Sequence, residues 1–170
     1  NEGRVMLPYF EPEIVPRVPK AGVRTYGLDT GNAEANCRAV VEAQMLSMKL
    51  HAGWMGVQPK TIYATGGASA NRQILKIMAD VNNAEVYQFE QGNSAALGAA
   101  LRAAHAYFAH CGNSRSWEEI VEGFTRPVEG SRVEPDPDHV RIYEEMTDLY
   151  AACEAHALRG GPDPGGGRYA

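Results

Sequence analysis

The clearest change of hydrophobic period along the chain falls between residues 60 and 80. Residues 61–65 form a short β-branched and apolar run, typical of a strand buried on both faces. Gly66 and Gly67 follow, and glycine turns a chain freely and lets another group approach the backbone. Residues 71–80 then carry apolar side chains at helical spacing, namely Ile74, Leu75, Ile77 and Met78. The pattern predicts a strand, a glycine turn and an amphipathic helix, in that order.

The first half of the chain predicts an extended region and a long helix. Residues 5–10 are apolar but interrupted by Pro8, which favours an edge strand or an extended segment. Prolines and glycines then predict an extended surface loop over residues 11–31. Asn32 is a good N-cap for a helix that reaches Trp54, with Glu42 and Lys49 off its apolar stripe. The stripe consists of Cys37, Val40, Val41, Gln44, Met45, Met48 and Ala52.

The second half continues the alternation of strand and helix. Residues 85–89 predict a second strand, and Asn93 or Ser94 starts an alanine-rich helix that ends near His110. Its interior glycine, Gly98, suggests that another backbone packs close to it. Residues 60–110 are therefore a β-α-β-α unit, which normally has parallel strands and a right-handed crossover.

Three further segments complete the prediction. Ser116 caps a short helix that runs through Phe124, and residues 125–137 form a second surface excursion. Asp138 caps the last helix, whose buried side carries Val140, Tyr143, Met146 or Thr147, Tyr150, and Cys153 or Glu154. The glycine- and proline-rich residues 159–170 are expected to be a disordered tail.

Length and charge restrict the class of protein. The chain has 170 residues, enough for one domain with a sizeable core, and 44% of them are hydrophobic. It carries 16 basic and 21 acidic residues, a net charge of −5, which argues against binding to nucleic acid or to a membrane surface. No apolar run approaches the roughly 20 residues that span a bilayer, and no signal peptide is visible. We expect a cytoplasmic protein.

The cysteines and histidines suggest no metal or disulfide chemistry. Cys37, Cys111 and Cys153 are odd in number and far apart, so buried free thiols are expected rather than a disulfide or a metal site. His105 and His110 are five positions apart and therefore lie on different faces of a helix.

The glycine turn is the one stretch with a suggestion of ligand chemistry. A strand that leads through a glycine turn into a helix leaves backbone N–H groups facing a crevice, which suits a nucleotide. The turn matches neither the GxGxxG nor the GxxxxGK[ST] pattern, and a Gly-Gly pair after a strand is more often a simple connection between strand and helix. Glu90, in the loop after the second strand, is either a catalytic or ligand-binding carboxylate or, as is more usual, an exposed loop acid.

Two segments, TGGASANRQILKIMADV and NSAALGAALRAAHA, resemble the C-terminal end of the FGGY carbohydrate kinases. Within that family the chain is most similar to the xylulokinases of the longer, eukaryotic type, where segments like YFEPEIVPR and IYEE occur in the same order. Ala70 and Asn71 stand where short bacterial members usually have lysine and serine. The resemblance runs from about Met6 to Leu158.

The resemblance implies a fold and a set of ligand-binding residues. The fold is α/β, part of an actin-like, ribonuclease-H-like ATPase lobe with a β-α-β-α core and additional helices. Residues 1–158 would be the C-terminal portion of the nucleotide-binding domain of the kinase, followed by the tail. Gly66, Gly67 and Ala68 would lie against the adenine of ATP, and Asn71 would hydrogen-bond the base or the ribose.

The resemblance also implies an activity for the full-length protein. Kinases of this family transfer the γ-phosphate of ATP to a sugar, and here a ketose, D-xylulose first, is expected; ribulose, a polyol or glycerol are alternatives. The catalytic aspartate, the Mg²⁺ ligands, the phosphate motifs and the sugar contacts would belong to the N-terminal lobe and lie outside this chain. Phosphoryl transfer needs all of them, so this chain alone should be inactive. A different class stays open as well, a non-catalytic actin-like binding module.

Overall fold

The computed structural model describes residues 3–89 and 93–165. It contains both helices and strands, with a β-α-β-α unit at its centre, which confirms the expected α/β class. The elements are β1 (Val5–Leu7), β2 (Arg24–Tyr26), α1 (Ala33–Ala52), β3 (Thr61–Ala64), α2 (Arg72–Asn82), β4 (Glu85–Gln88), α3 (Ser94–His110), α4 (Trp117–Val121) and α5 (Pro137–Arg159). Short 3-10 helices follow α1 (Gly53–Met55) and precede α2 (Gly67–Ala70).

The main core lies where α1, α2 and α5 pack on one another and on β1. Leu7 of β1, Leu46 of α1, Val81 of α2 and Tyr150 of α5 are all buried there. A second cluster joins α2 to the β3–β4 sheet, with Ala64, Leu75, Ala79, Val86 and Val133 at its centre. Helix α2 belongs to both clusters and therefore fixes the sheet relative to the rest of the chain.

Strands β3 and β4 pair in parallel, as predicted, with Thr61 opposite Glu85 and Ala64 opposite Gln88. The expectation that β3 is buried on both faces is wrong. Thr61 and Tyr63 are exposed, whereas Ala64 is buried. Helix α2 covers only the face that carries Ile62 and Ala64, and no element of the described residues covers the other face.

Residues 11–31 are not simply a surface loop. Residues 24–26 form β2, which pairs antiparallel with β1, and Glu13 forms a bridge with Val18. Val18 and Leu28 are buried. The prolines that exclude regular structure end at Pro19, so the residues beyond it are free to pair with β1.

The apolar stripe predicted for α1 is rotated from the observed one. In the predicted stripe, Met45 alone is fully buried, whereas Cys37, Gln44 and Met48 are exposed. The buried face of the helix consists of Ala39, Glu42, Ala43, Met45 and Leu46.

Glu42 turns inward because it has partners on α5. The Tyr143 hydroxyl donates to Glu42 Oε1 at 2.7 Å, and Arg38 Nε donates to the same oxygen at 2.7 Å. Burial of the Tyr143 ring, together with its hydrogen bond to Glu42, raises the pKa of that hydroxyl well above its ordinary value, so it stays a donor. A buried carboxylate with charged and neutral donors is tolerated where an unpaired one would not be.

Asp80 of α2 is also buried, with only 1% of it exposed, although a carboxylate in an amphipathic helix normally lies on the polar side. Its Oδ1 accepts from Lys76 Nζ at 2.6 Å and from the Asp136 N–H at 2.8 Å, and its Oδ2 lies 3.1 Å from His139 Nδ1. This carboxylate therefore ties the end of α2 to the start of α5.

The residues before α5 also differ from the prediction. Asp136, not Asp138, caps α5, because Pro137 occupies the first helical position, which proline favours. Residues 127–133 are not a free surface excursion, since Val133 exchanges two 2.9 Å backbone hydrogen bonds with Val86 of β4. The buried side of α5 is confirmed: it carries Val140, Tyr143, Met146, Tyr150, Cys153 and Glu154.

Helices α3 and α4 begin at the predicted caps. Asn93 caps α3, and Ser116 forms a capping box with Glu119 at the start of α4, which ends at Val121 instead of Phe124. None of the residues of α3 is buried. The close backbone contact expected at Gly98 is not present among the described residues, since a Cβ there would have no neighbour within 4 Å.

The three cysteines are free thiols in the structure. Cys153 is buried, but Cys37 and Cys111 are exposed, so the expectation of three buried thiols is wrong for two of them. Among the described residues, no helix is long and apolar enough to cross a membrane. Gly160, with φ +67°, ends α5 one residue into the predicted tail, and the disorder of that tail stays a prediction. Glu90 lies outside the described residues.

Candidate functional site

The candidate site is the connection between β3 and α2. After β3 ends at Ala64, Gly66 adopts φ +88° and ψ 179°, a conformation open to glycine but strained for other residues. One turn of 3-10 helix follows, and the Asn71 N–H donates to the Ala68 carbonyl at 3.1 Å. The chain then enters α2 at Arg72. The predicted order of strand, glycine turn and helix is confirmed.

Ser69 fixes the shape of this turn. It is only 3% exposed, although the residues on both sides of it are exposed. Its hydroxyl donates to the Gly66 carbonyl at 2.7 Å, and its backbone N–H donates to the same oxygen at 3.1 Å. Two donors on one carbonyl hold Gly66 in place, so the turn does not depend on a ligand for its conformation.

Asn71 is the N-cap of α2. Its side-chain oxygen accepts from the Gln73 N–H at 2.9 Å and from the Ile74 N–H at 3.4 Å. Both lone pairs of that oxygen are used by these bonds, so the amide group has its NH₂ left for a ligand. The resemblance implied that Asn71 hydrogen-bonds a base or a ribose, and the structure restricts this role to donation.

The two glycines of the turn differ in what they require. Gly66 has a positive φ, so a side chain there is strained whatever the space. Gly67 does not have a positive φ, and a Cβ placed on it would have no neighbour within 4 Å. Neither backbone strain nor crowding by the described residues explains a glycine at position 67. Space beside the backbone is therefore free for a flat ligand.

A groove of about 320 Å³ opens beside the turn. Its walls come from α1, β3, α2 and the turn itself. The residues that line it include Met45, Met48, Ile62, Thr65, Ala68, Ser69, Ile74 and Met78. Most of these side chains are apolar, which suits the flat face of an aromatic ring or an apolar protein segment more than a charged group.

The structure brings the four residues named from the sequence into one exposed turn. Gly66, Gly67, Ala68 and Asn71 are all exposed, and Ala68 also lines the groove. The sequence reasoning missed the role of Ser69 in shaping the turn. An available signal was its position three residues after Gly66, the spacing at which a serine hydroxyl reaches back to a turn carbonyl.

The turn is electrically neutral. Residues 65–71 contain no ionisable side chain. Arg72, the first residue of α2, is directed away, since its Nη2 donates to the Arg132 carbonyl at 3.2 Å. A neutral turn suits the base and ribose of a nucleotide more than its phosphates. No group of three or more His, Cys, Asp and Glu side chains within residues 3–89 and 93–165 is arranged to hold a metal ion.

Comparison with known proteins assigns the chain to a family. The profile of the FGGY family of carbohydrate kinases, C-terminal domain, matches residues 2–107. The chain is 32% identical over 166 residues to the xylulose kinase of Rattus norvegicus, which covers 93% of this chain and 30% of the rat protein. It is 34% identical over 109 residues to a ribulokinase of Halalkalibacterium halodurans, covering 64% of this chain and 19% of that protein.

Solved structures agree with this result. The crystal structure of xylulose kinase from Rhodospirillum rubrum superposes with a TM-score of 0.70 at 26% identity, covering 94% of this chain and 31% of that one. The fold is therefore a partial lobe of the actin-like ATPase type, as the sequence resemblance implied. The chain belongs to the FGGY family of carbohydrate kinases. Within that family it is similar to xylulose kinases, and it spans less than a third of the length of the relatives described above.

Proposed function

We propose that this chain is the nucleotide-binding, C-terminal portion of a kinase that transfers the γ-phosphate of ATP to a ketose, D-xylulose. The observation that carries the nucleotide part is the open space beside Gly67, a glycine that its own conformation and neighbours do not require. In this proposal the adenine lies against Gly66, Gly67 and Ala68. The NH₂ group of Asn71 donates to the base or the ribose.

The chemistry is divided between this chain and the rest of the protein. Phosphoryl transfer depends on positioned phosphates, Mg²⁺ and a residue that accepts the proton of the attacking hydroxyl. The neutral turn supplies none of these, and its part is to position the nucleoside end of ATP. We propose that the Mg²⁺ ligands, the base and the sugar contacts come from the N-terminal lobe, and that residues 1–158 alone are inactive. A cytoplasmic location fits such a kinase.

The choice of D-xylulose rests on the similarity of this chain to curated xylulose kinases and to a solved xylulose kinase structure. The match to a ribulokinase keeps ribulose as the second candidate. An ADP-release assay on the full gene product, with D-xylulose, ribulose, glycerol and a polyol as acceptors, separates the two. We expect the highest kcat/KM for D-xylulose. If another acceptor gives a higher kcat/KM, that acceptor is the substrate. If no acceptor leads to ADP release, the result contradicts the kinase activity and favours a non-catalytic actin-like module.

The adenine position is tested by Gly67→Val in the full gene product. The added side chain enters the space assigned to the base, and its Cβ has no neighbour within 4 Å among the described residues, so the Kd for ATP should rise at least tenfold with little change in melting temperature. The KM for the sugar should stay within twofold.

Gly22→Val is the matched control. Gly22 is also exposed, has no positive φ and has no neighbour within 4 Å of a Cβ, but it lies in another part of the chain. Unchanged ATP affinity in Gly67→Val places the base elsewhere. Equal loss of affinity in both variants points to a general effect of valine and also contradicts the assignment.

A further inference from the structure

The polar groups around the glycine turn decide which features of a base this chain recognises. Adenine carries an amino donor at N6 where guanine carries an acceptor at O6, whereas both purines present N7 as an acceptor. An asparagine side chain distinguishes the two when its oxygen accepts from N6 and its NH₂ group donates to N7. Asn71 is the only side chain of residues 65–71 that has a carboxamide.

The cap of α2 removes half of that recognition. Asn71 Oδ1 accepts from the Gln73 N–H at 2.9 Å and from the Ile74 N–H at 3.4 Å. An amide oxygen has two lone pairs, so none is left for the amino group of a base. The amide cannot turn over, because its NH₂ group would then face the N–H groups of α2. Asn71 is therefore left with donation, and N7 or a ribose oxygen accepts equally well in adenine and guanine nucleotides.

The other side chains of the turn do not supply the missing distinction. Residues 65–71 contain no carboxylate to accept from the N–H groups of guanine. Ser69 is 3% exposed, and its hydroxyl and its backbone N–H both donate to the Gly66 carbonyl. A hydroxyl such as that of Thr65 both donates and accepts, so it fits either purine. The turn therefore offers contacts to what the two purines share.

The groove beside the turn favours a large base over a small one. It has a volume of about 320 Å³, and Met48, Ile74 and Met78 are among the apolar residues that line it. A purine has two rings and covers more of such a wall than the single ring of a pyrimidine. The free energy of apolar burial follows the covered area and not the hydrogen-bonding pattern of the ring. Contact with the groove therefore selects a base by its size.

We propose that the nucleotide site accepts purine nucleotides without distinguishing adenine from guanine, so that GTP serves as a phosphoryl donor beside ATP. This specificity rests on the proposed function, in which the base lies against Gly66, Gly67 and Ala68. The chemical step is the same with either donor. The sugar hydroxyl bonds to the γ-phosphorus and gives up its proton to the accepting residue of the N-terminal lobe, while the bond to the bridging oxygen breaks and GDP leaves in place of ADP.

Calorimetric titration of the full gene product with ADP, GDP and CDP measures the base preference without turnover. The Kd values for ADP and GDP should agree within fivefold, and the Kd for CDP should be at least fivefold higher than either. A larger difference between ADP and GDP overturns the proposal, because the site then reads the exocyclic group of the base. Binding of CDP as tight as that of ADP overturns the preference for purines.

Turnover with D-xylulose provides a second measurement. The kcat/KM values for ATP and GTP should also agree within fivefold, and activity with ATP alone overturns the role of GTP as a donor. The proposed function fails in a different way. If none of the three nucleotides binds, the assignment of the nucleotide site is wrong, and the base preference falls with it. If ADP alone binds, the proposed function stands and only the base preference is wrong.

The variant Asn71→Ser tests the shared donor. Serine is as good an N-cap as asparagine but has no NH₂ group, so α2 keeps its start. The Kd values for ADP and GDP should rise by the same factor, about two- to tenfold for one hydrogen bond. A greater loss for ADP than for GDP shows that Asn71 reads adenine and contradicts the proposal. An unchanged Kd for both nucleotides shows that the NH₂ group binds neither, which also contradicts it.

The variant Asn32→Ser is the matched control. Asn32 is an exposed N-cap of α1, and its side-chain oxygen accepts from the Ala35 N–H at 3.0 Å. It has the same residue type and the same capping role as Asn71, but it lies away from the turn. Both Kd values should stay unchanged in this variant. If they rise as much as in Asn71→Ser, the loss reports the altered cap, and the role assigned to the NH₂ group is wrong.

Discussion

Replacement of Ser69 by alanine tests whether the shape of the turn matters for nucleotide binding. The Ser69 hydroxyl is buried and donates to the Gly66 carbonyl at 2.7 Å. One such bond contributes about 0.5–1.5 kcal/mol net. The carbonyl keeps the Ser69 N–H at 3.1 Å, so no buried acceptor loses its last partner. We expect Ser69→Ala to lower the free energy of unfolding by about 1 kcal/mol, or the melting temperature by about 2–4 °C.

The same substitution should weaken ATP binding. Without the hydroxyl, Gly66 to Ala68 are free to sample other conformations, and binding must restore the ordered turn. If all of the lost bond appears as an ordering cost, the Kd for ATP rises about fivefold in the full gene product. Calorimetric titration with ATP and thermal unfolding of the same sample measure the two effects.

Ser116→Ala is the matched control for stability. Ser116 also loses one hydroxyl bond, at the cap of α4, where removal of a serine cap costs about 0.5–2 kcal/mol. Its melting temperature should fall while its ATP affinity stays the same. If Ser69→Ala lowers the melting temperature and leaves the Kd unchanged, the turn does not hold the nucleotide. If both variants lose affinity equally, the loss reports general stability, and the reasoning about Ser69 is wrong.

Three other predictions concern backbone strain, pH and thiol reactivity. Gly66→Ala should lower the free energy of unfolding, measured by chemical denaturation, by at least about 1 kcal/mol, because φ is +88° at this position. A stability equal to wild type would show that the turn relaxes and would contradict the strain argument. Burial raises the pKa of the Tyr150 hydroxyl to about 12, whereas in the unfolded chain this hydroxyl ionises near pH 10. Its contribution to the free energy of unfolding is therefore fully present below pH 10 and is lost between about pH 10 and 12, by up to about 1.4 kcal/mol per pH unit. Urea unfolding should find a smaller slope in Tyr150→Phe. Burial also raises the pKa of the Cys153 thiol to about 12, so iodoacetamide should label the exposed Cys37 and Cys111 at neutral pH and leave Cys153 unmodified until the protein unfolds. Labelling of Cys153 in the folded protein would contradict its burial. Mass spectrometry should show no disulfide.

The sequence predicted well what is determined locally. Asn71 and Ser116 were identifiable as helix starts because a capping side chain bonds to backbone groups two or three residues away. The parallel pairing of β3 and β4 followed from the helix between them, since parallel strands need a crossover. The glycine turn was also located from local signals, because it lies between a short apolar strand and an amphipathic helix.

The burial of charged residues could not be predicted from their own neighbourhood. Glu42 is buried because Tyr143, 101 positions away, donates to it. Asp80 is buried because His139 and the backbone of Asp136 approach it from α5. Hydrophobic periodicity assigns a carboxylate to the solvent face by default, and only the tertiary partners reverse that assignment.

The rotated stripe of α1 has a different cause. Hydrophobic periodicity gives the angular position of apolar side chains around a helix, but it does not say which of two apolar faces the rest of a given chain covers. Helix α1 has apolar residues on both sides: Leu46 packs into the core, and Met48 is 60% exposed. A helix that is apolar on both sides is normally enclosed by other elements. The predicted stripe therefore follows a real apolar face of α1, one that the described residues leave partly exposed.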